Sequence, residues 1–178
     1  MPKNIILGVS AGVAIYKACE ITRLLKGAGF SVIVVMTEDS QKFIRPALFG
    51  ALSGDKVYTG LFDEPQAWEI EHISLADKAD LVLLAPATAN IIGKIATGVC
   101  DDLLTCVVCA TKAPVLICPA MNENMYENKI VQGNIKKLRS LGYRFVEPKK
   151  GMLACGRVGA GCLADIDVIM KEVKKIVR

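Results

Sequence analysis

Short runs of apolar, mostly β-branched residues recur along this chain, and stretches with helical spacing separate them. The runs are residues 4–9, SVIVVMT at 31–37, LVLLAP at 81–86 and PVLICP at 114–119, with residues 143–146 as a fifth. Strands this apolar are buried on both faces, which is typical of parallel sheets covered by helices on each side. The pattern predicts an α/β fold of the Rossmann-like or flavodoxin-like kind, with a parallel sheet between two helical layers.

Helices are expected between these strands. Residues 14–26, 130–141 and 165–177 carry apolar side chains at helical spacing, and glycines follow the first two stretches. No repeat, low-complexity tract or linker divides the sequence, so we expect one domain over residues 1–178.

A glycine-rich stretch near the C-terminus differs in composition from the rest of the chain. Residues 151–163 read GMLACGRVGAGCL, which suits neither a helix nor a covered strand. We expect a mobile loop there, and loops of this kind often carry function.

Composition and charge argue against several classes of protein. The chain is 52% apolar, yet no uninterrupted apolar run approaches the ~20 residues of a membrane helix, and the first residues lack the pattern of a signal peptide. The net charge of +4 is mild, and the lysine pairs at 136–137 and 149–150 are not interleaved with aromatic residues. We therefore expect a cytoplasmic protein with neither nucleic acid nor membrane as a partner.

Cysteines give the strongest superficial signal for a metal. The chain has seven cysteines, and Cys106 and Cys109 form a CxxC motif. The motif falls within DDLLTCVVCATK, which has nearly helical spacing, and neither a second CxxC nor a ligand-spaced histidine accompanies it. We predict reduced thiols, two small residues buried on a helix, and no metal site.

The segment after the first strand, GVSAGVAIYK, lies where a phosphate often binds at the start of a helix. It departs from the dinucleotide motif GxGxxG because Ser10 and Val13 replace the second and third glycines. A serine hydroxyl and backbone amides suit a terminal monophosphate, although a structural turn is about as well supported by this loop alone. Thr37, Ser40 and Thr88 follow other strands at the same sheet edge, which favours a phosphorylated cofactor.

Six segments, in this order, carry a specific resemblance: GVSAGVAIYK, MTEDSQKFI, IEHISLA, APATANIIGKIATGVCDDLLT, PAMNENMY and LACGRVGAG. Together they resemble the flavin-dependent cysteine decarboxylases, and in particular the phosphopantothenoylcysteine decarboxylases of coenzyme A biosynthesis in their stand-alone form. The resemblance spans about residues 4–167. The pairing of PAMNxxMY with LACG some thirty residues later is its most specific part.

The resemblance implies an FMN site whose residues lie in several turns. One group would surround the phosphate and ribityl end of the cofactor: Gly8, Ser10, Ala11, Gly12, Thr37 and Phe43. A second group would line the isoalloxazine ring: Ala87, Thr88, Asn90, Ala120 and Met121.

The same resemblance implies three catalytic residues, each with a simpler alternative. His72 would be the base, although a lone histidine is by default a surface or structural residue. Asn122 would hold the substrate carboxylate and amide, although asparagine is also a good helix cap. Cys155 would donate a proton from a loop that closes over substrate, with Met125, Ala154 and Gly156 also contacting substrate.

The implied reaction is FMN-dependent decarboxylation of 4'-phospho-N-pantothenoylcysteine to 4'-phosphopantetheine. A peptidyl-cysteine decarboxylase and a catalytically silent flavoprotein regulator are the alternatives. The regulator remains an alternative because relatives usually have an acidic residue where this chain has Arg157. Cys162 is a second departure, since many relatives have arginine at that position. The family assembles as trimers or as four trimers, and a separate phosphopantothenate–cysteine ligase is a possible partner.

Overall fold

The computed structural model describes residues 2–62, 70–154 and 156–177. In this part of the chain the strands are β1 (Asn4–Val9), β2 (Ser31–Met36), β3 (Val57–Tyr58), β4 (Leu81–Ala87), β5 (Val115–Pro119), β6 (Arg144–Phe145), β7 (Lys149–Met152) and β8 (Val158–Cys162). The first six form a parallel sheet in the order β3–β2–β1–β4–β5–β6, and β7 and β8 form a separate antiparallel hairpin. The six-stranded order is that of the Rossmann fold, in which the chain reverses its direction of travel between β1 and β4. The predicted α/β fold is confirmed.

Two layers of helices cover the sheet. The helices are α1 (Tyr16–Gly27), α2 (Pro46–Ser53), α3 (Glu71–Lys78), α4 (Ala89–Thr97), α5 (Leu103–Ala110), α6 (Glu123–Tyr126), α7 (Lys129–Ser140) and α8 (Ile166–Ile176). The buried side chains of α1, α2 and α8 form one core with the sheet, and those of α3, α4, α5 and α7 form the other. Among the described residues, none of these helices is both long and apolar enough to cross a bilayer.

Strand β1 shows why the sheet is apolar on both faces. Ile5, Leu7 and Val9 pack into the core under α1 and α8, whereas Ile6 packs into the opposite core. Successive side chains of a strand point to opposite faces, so a central strand with two covered faces needs apolar residues at consecutive positions.

Part of the glycine-rich stretch, for which the sequence analysis predicts a mobile loop and no strand, is regular β-structure. Residues 149–152 and 158–162 pair as the hairpin β7–β8, which packs against α6 and the residues before it. A Cβ atom at Gly159 would collide with the Glu123 side chain, and one at Gly161 would collide with the backbone oxygen of Met121. These two glycines therefore allow close docking of the hairpin, which explains why the composition misled the prediction.

Candidate cofactor and active-site cleft

A cleft of about 770 Å³ opens at the carboxyl ends of the central strands. Its walls come from the loop after β1, the turn after β2, the start of α4, the segment after β5 and the hairpin. This is the sheet edge beside the reversal between β1 and β4, where open α/β sheets bind their ligands. The volume is within the range of pockets that enclose a small molecule or cofactor.

Ser10 joins two walls of the cleft. Its buried hydroxyl donates to the backbone oxygen of Pro86 at 2.7 Å and accepts from the backbone N–H of Thr88 at 3.1 Å. The donated bond uses the only proton of the hydroxyl. Together the two contacts fix the loop after β1 against the end of β4. The sequence identified Ser10 as a residue of the site, and the structure adds this bridging contact.

Thr88 begins the helix that forms the next wall. Its side-chain oxygen accepts from the backbone N–H of Ile91 at 3.4 Å, as expected of an N-cap residue. Asn90 and Lys94 then lie four positions apart on α4, which places them on one helix face. Both line the cleft together with Thr88.

Lys94, Asp101 and Asp102 form a charged wall that the sequence analysis did not select. The ammonium group lies 2.7 Å from Asp101 Oδ1 and 3.0 Å from Asp102 Oδ2. Contact with Asp101 raises the pKa of Lys94, and the same contact lowers the pKa of Asp101. Asp102 also caps α5 by accepting from Thr105 N–H at 2.8 Å, so its position is fixed from two sides.

Asn122 follows the carboxyl end of β5 and faces the same cleft. It is the N-cap of α6, and its Oδ1 accepts from the backbone N–H of Asn124 at 2.9 Å. Capping orients the side chain, because the bond to Asn124 assigns the oxygen end of the amide to the helix. The capping alternative is therefore observed, and it is compatible with a role for the amide donors in binding.

The hairpin covers the cleft beside Asn122. The backbone N–H of Met121 donates to the oxygen of Gly161 at 2.9 Å, which joins the segment after β5 directly to β8. Arg157 has an ionic contact with Glu123 on α6, with 3.7 Å between Nε and Oε1. The reversed charge at position 157 therefore faces a carboxylate on the segment that carries Asn122.

His72 lies in the first turn of α3, outside the lining of the cleft. The other end of α3 packs near the start of β1, where Asn4 Nδ2 donates to the oxygen of Lys78 at 3.1 Å. The helix therefore runs opposite to the strands, and its first turn lies towards their carboxyl edge. An ion pair of 3.0 Å between Lys56 and the adjacent Glu71 anchors this turn.

Most of the predicted site residues meet in the cleft. Its lining includes Ser10, Ala11, Gly12, Thr37, Thr88, Asn90, Ala120, Met121, Asn122, Met125 and Ala154. Gly8, Phe43, His72, Ala87 and Gly156 lie outside that lining, and Cys155 lies outside the described residues.

Gly8 has a structural explanation. It lies in β1 on the face toward α5, where a Cβ atom would come within 2.5 Å of Leu84 Cδ2 and 2.6 Å of Leu104 Cδ1. The absence of a side chain at this position allows close packing beneath the cleft.

The CxxC motif lies on α5, as predicted, but its expected burial is wrong. Cys106 is partly buried and Cys109 is exposed. In the described ranges, no group of three or more histidine, cysteine, aspartate or glutamate side chains is arranged to hold a metal ion.

Comparison with known proteins identifies the family. The family described as Flavoprotein matches residues 1–178. The chain belongs to this family. A relative from Streptococcus mutans, named "Probable phosphopantothenoylcysteine decarboxylase", is 42% identical over 98% of this chain and 99% of its own length.

A second relative is longer. The "Coenzyme A biosynthesis bifunctional protein CoaBC" of Bacillus subtilis is 49% identical over 97% of this chain, which corresponds to 43% of the relative's length. The chain thus spans less than half of that protein.

A solved structure supports the fold in detail. A cysteine-to-serine variant of a PPC decarboxylase, complexed with pantothenoylaminoethenethiol, superposes with a TM-score of 0.88 and 30% identity. The match covers 98% of each chain.

Proposed function

We propose that this chain is a phosphopantothenoylcysteine decarboxylase, an FMN-dependent carboxy-lyase that forms 4'-phosphopantetheine in coenzyme A biosynthesis. The observation that carries the proposal is that Asn122 faces the same cleft as the loop after β1 and the start of α4. The names of the Streptococcus mutans and Bacillus subtilis relatives support this substrate and pathway. We treat residues 1–178 as one flavoprotein decarboxylase domain.

The residues of the cleft fit FMN. Small residues at 11, 12, 89 and 120 leave room for a planar ring and for close approach to the backbone, and Thr37 and Thr88 offer hydroxyls. Lys17 at the edge of the cleft offers a positive charge that suits a phosphorylated ligand, whereas the charge of Lys94 is balanced by Asp101 and Asp102. A flavin bound there would supply reversible two-electron oxidation of the substrate thiol.

Such oxidation explains how a cysteine amide can lose carbon dioxide. Direct loss would leave a carbanion at Cα without an electron sink, whereas a thioaldehyde provides an acceptor β to the departing carboxylate. Decarboxylation then gives a stabilised enethiolate. The residues around the cleft have to bind the carboxylate, exclude water and move protons.

Asn122 is placed to bind the substrate. Its Oδ1 accepts from Asn124 N–H, which orients the opposite Nδ2 end of the amide. We assign the Nδ2–H donors to the substrate carboxylate, with Met125 and Ala154 as apolar cover nearby.

His72 is assigned as the base, with a ring nitrogen that accepts a proton from the substrate. Because it lies outside the lining of the cleft, we propose that a neighbouring subunit of a homotrimer supplies it. Exposed apolar side chains at the cleft, Val13, Tyr16, Met125 and Met152, suit such a subunit boundary. A dodecamer built from four trimers would contain the same contact between neighbouring subunits.

Mixing variants tests the shared site. Trimers refolded together from His72→Asn and Asn122→Asp chains should regain activity, because some clefts then receive one intact residue from each chain. If both residues act within one subunit, every cleft stays defective and the mixture stays inactive.

Cys155 is assigned as the acid that returns a proton during reduction of the product. Its neighbours in the sequence, Ala154 and Gly156, lie between β7 and β8, so the acid is assigned to the connection of the hairpin. We propose a cytoplasmic enzyme whose substrate is supplied by a phosphopantothenate–cysteine ligase. The described cysteines are free thiols, which fits a reducing compartment.

The function is tested by assaying release of carbon dioxide from phosphopantothenoylcysteine by the purified protein with FMN. The proposal predicts release with 4'-phosphopantetheine as product, and much slower release from a cysteine-terminated peptide. Faster turnover of the peptide would identify a peptidyl-cysteine decarboxylase. Flavin binding without turnover of either substrate would identify a silent regulator.

A further inference from the structure

Tyr126 ends the motif PAMNENMY but lies outside the lining of the cleft, whereas Asn122 and Met125 of the same motif line it. Tyr126 is the last residue of α6, a single turn of four residues whose N-cap is Asn122. The backbone N–H of Tyr126 donates to the backbone oxygen of Asn122 at 2.9 Å. The backbone of Asn122 is therefore bonded directly to Tyr126.

Helix α6 depends on tertiary contacts for its position. Isolated helices shorter than about 12–15 residues are marginal in water, and each residue of α6 is partly or largely exposed. Within α6, the ring of Tyr126 packs against the core formed with α3, α4, α5 and α7. The contacts that hold Tyr126 therefore also orient Asn122 at the other end of this short helix.

The hydroxyl of Tyr126 joins α6 to the connection between β6 and the hairpin. It donates to Glu147 Oε2 at 2.7 Å, and Glu147 lies two residues before β7. Hydrogen bonds to a carboxylate are stronger than those between neutral groups. This bond therefore holds the end of α6 against the start of the hairpin.

Two residues of α7 support this contact. Arg139 pairs with the other carboxylate oxygen of Glu147, and its guanidinium carbon lies 5.1 Å from the centre of the Phe145 ring. Gln132 Nε2 donates to the backbone oxygen of Tyr126 at 2.5 Å. The carboxylate that accepts from Tyr126 is thus itself oriented, and the backbone of Tyr126 is fixed separately.

We propose that Tyr126 is a positioning residue for the decarboxylation, and that its bond to Glu147 directs the Asn122 amide towards the substrate carboxylate. The inference rests on the proposed function, in which the Nδ2–H donors of Asn122 bind that carboxylate. The bond from Asn124 N–H to Asn122 Oδ1 fixes the amide relative to α6, so a shift of α6 carries the amide with it. Tyr126 acts through α6 and does not itself contact substrate.

Tyr126→Phe is the variant that isolates the hydroxyl, because it keeps the ring that packs against the core. Loss of a hydrogen bond to a charged partner should raise the KM for the substrate roughly fivefold to twentyfold. The kcat should stay close to that of the parent, because the contact with the carboxylate is made when substrate binds.

A ligand without the carboxylate separates misdirection of Asn122 from general damage to the cleft. The product 4'-phosphopantetheine lacks the carboxylate to which the Nδ2–H donors are assigned. Its affinity for the FMN-bound Tyr126→Phe variant, measured by calorimetry, should therefore equal its affinity for the parent. Equal losses of affinity for substrate and product would indicate a merely structural role and would overturn the proposal.

Variants of the partner test the bond itself. Glu147→Gln keeps an acceptor oxygen for the hydroxyl and should retain the parent KM, whereas Glu147→Ala should raise it as Tyr126→Phe does. Combining Tyr126→Phe with Glu147→Ala should raise KM no further than either change alone, and additive effects would argue against a shared bond. Tyr143→Phe is the matched control, because it removes a hydroxyl at a partly buried position outside the cleft lining and should leave KM unchanged.

Hydrogen exchange at the backbone amide of residue 126 needs no turnover. This amide should exchange faster in Tyr126→Phe and Glu147→Ala than in the parent, and at the parent rate in Glu147→Gln. A parent protein that releases no carbon dioxide would refute the proposed function. If the parent is active, parent-like KM or parent-like exchange in Tyr126→Phe would overturn this inference alone.

Discussion

Replacing Gly161 with alanine should open the hairpin that covers the cleft. Gly161 has a φ of +142°, in the region that favours glycine, and its added Cβ atom would collide with the backbone oxygen of Met121. A backbone oxygen cannot rotate away as the end of a side chain can. The hairpin would therefore move from Met121 and lose the 2.9 Å hydrogen bond between Met121 N–H and the Gly161 oxygen.

Backbone strain and the lost hydrogen bond together determine the expected free-energy cost of Gly161→Ala. A side chain in a strained backbone region costs about 1–3 kcal/mol, and loss of one hydrogen bond costs about 0.5–1.5 kcal/mol. A central sum of about 3 kcal/mol corresponds to roughly a hundredfold shift from docked towards undocked hairpin. Most of this cost falls on docking, because both disturbed contacts join the hairpin to the segment after β5.

Hydrogen exchange at the Met121 amide measures docking directly. We expect about a hundredfold loss of protection in Gly161→Ala, together with a raised KM for the substrate. Gly133→Ala is the matched control, because its Cβ atom would meet nothing within 4 Å in α7, and alanine there should be neutral or stabilising by about 0.5–1 kcal/mol. Equal exchange and equal KM in the two variants would refute the docking argument.

Three further changes test other parts of the account. His72→Asn should retain FMN and oligomeric state but lose about 10²–10⁴-fold in kcat, since it removes the base; near-normal turnover of the folded variant would make His72 structural. Cys155→Ser should decarboxylate in an anaerobic single turnover and accumulate the enethiol, because a serine hydroxyl is far less acidic than a thiol with an ordinary pKa of ~8.5; fully reduced product at the parent rate would place the acid elsewhere. Asp80 accepts from Asn4 N–H at 2.8 Å and from Lys3 Nζ at 2.9 Å, and these contacts lower its pKa. The stabilisation by Asp80 should be present above its unfolded pKa of ~3.9 and be lost as the pH falls through the lower folded value. Asp80→Asn should accordingly reduce the free energy of unfolding by about 1 kcal/mol at neutral pH and by less in acid, and a pH-independent difference in urea melts would contradict this.

The main elements of the fold could be predicted from sequence because burial dictates them. Strands β1, β2, β4 and β5 are apolar at consecutive positions, and the observed bounds agree with the predicted runs to within a residue. Strand β3 has only two residues, both partly buried, so it produces no such run.

The hairpin and the site show what sequence leaves undetermined. Glycines at 159 and 161 suggest mobility and close backbone approach equally well, and only the position of α6 decides between them. Similarly, Ser10 is recognisable as a loop residue, but its contacts with Pro86 and Thr88 depend on how two distant segments meet. The charged wall depends on how Lys94 of α4 meets the two aspartates before α5, which the sequence alone does not reveal.

Decarboxylation by paired variants at positions 122 and 124 tests the central claim most directly. Aspartate caps helices as well as asparagine does, so Asn122→Asp keeps the cap of α6 while placing a carboxylate against the substrate carboxylate. Asn124→Asp is the matched control, because it makes the same chemical change two residues away at an exposed position outside the cleft lining. FMN affinity and carbon dioxide release are measured on the same samples. The account predicts that both variants bind FMN as the parent does, that Asn124→Asp releases carbon dioxide at the parent rate, and that Asn122→Asp releases almost none. Parent-level release by Asn122→Asp would contradict the assignment of this cleft as the decarboxylation site.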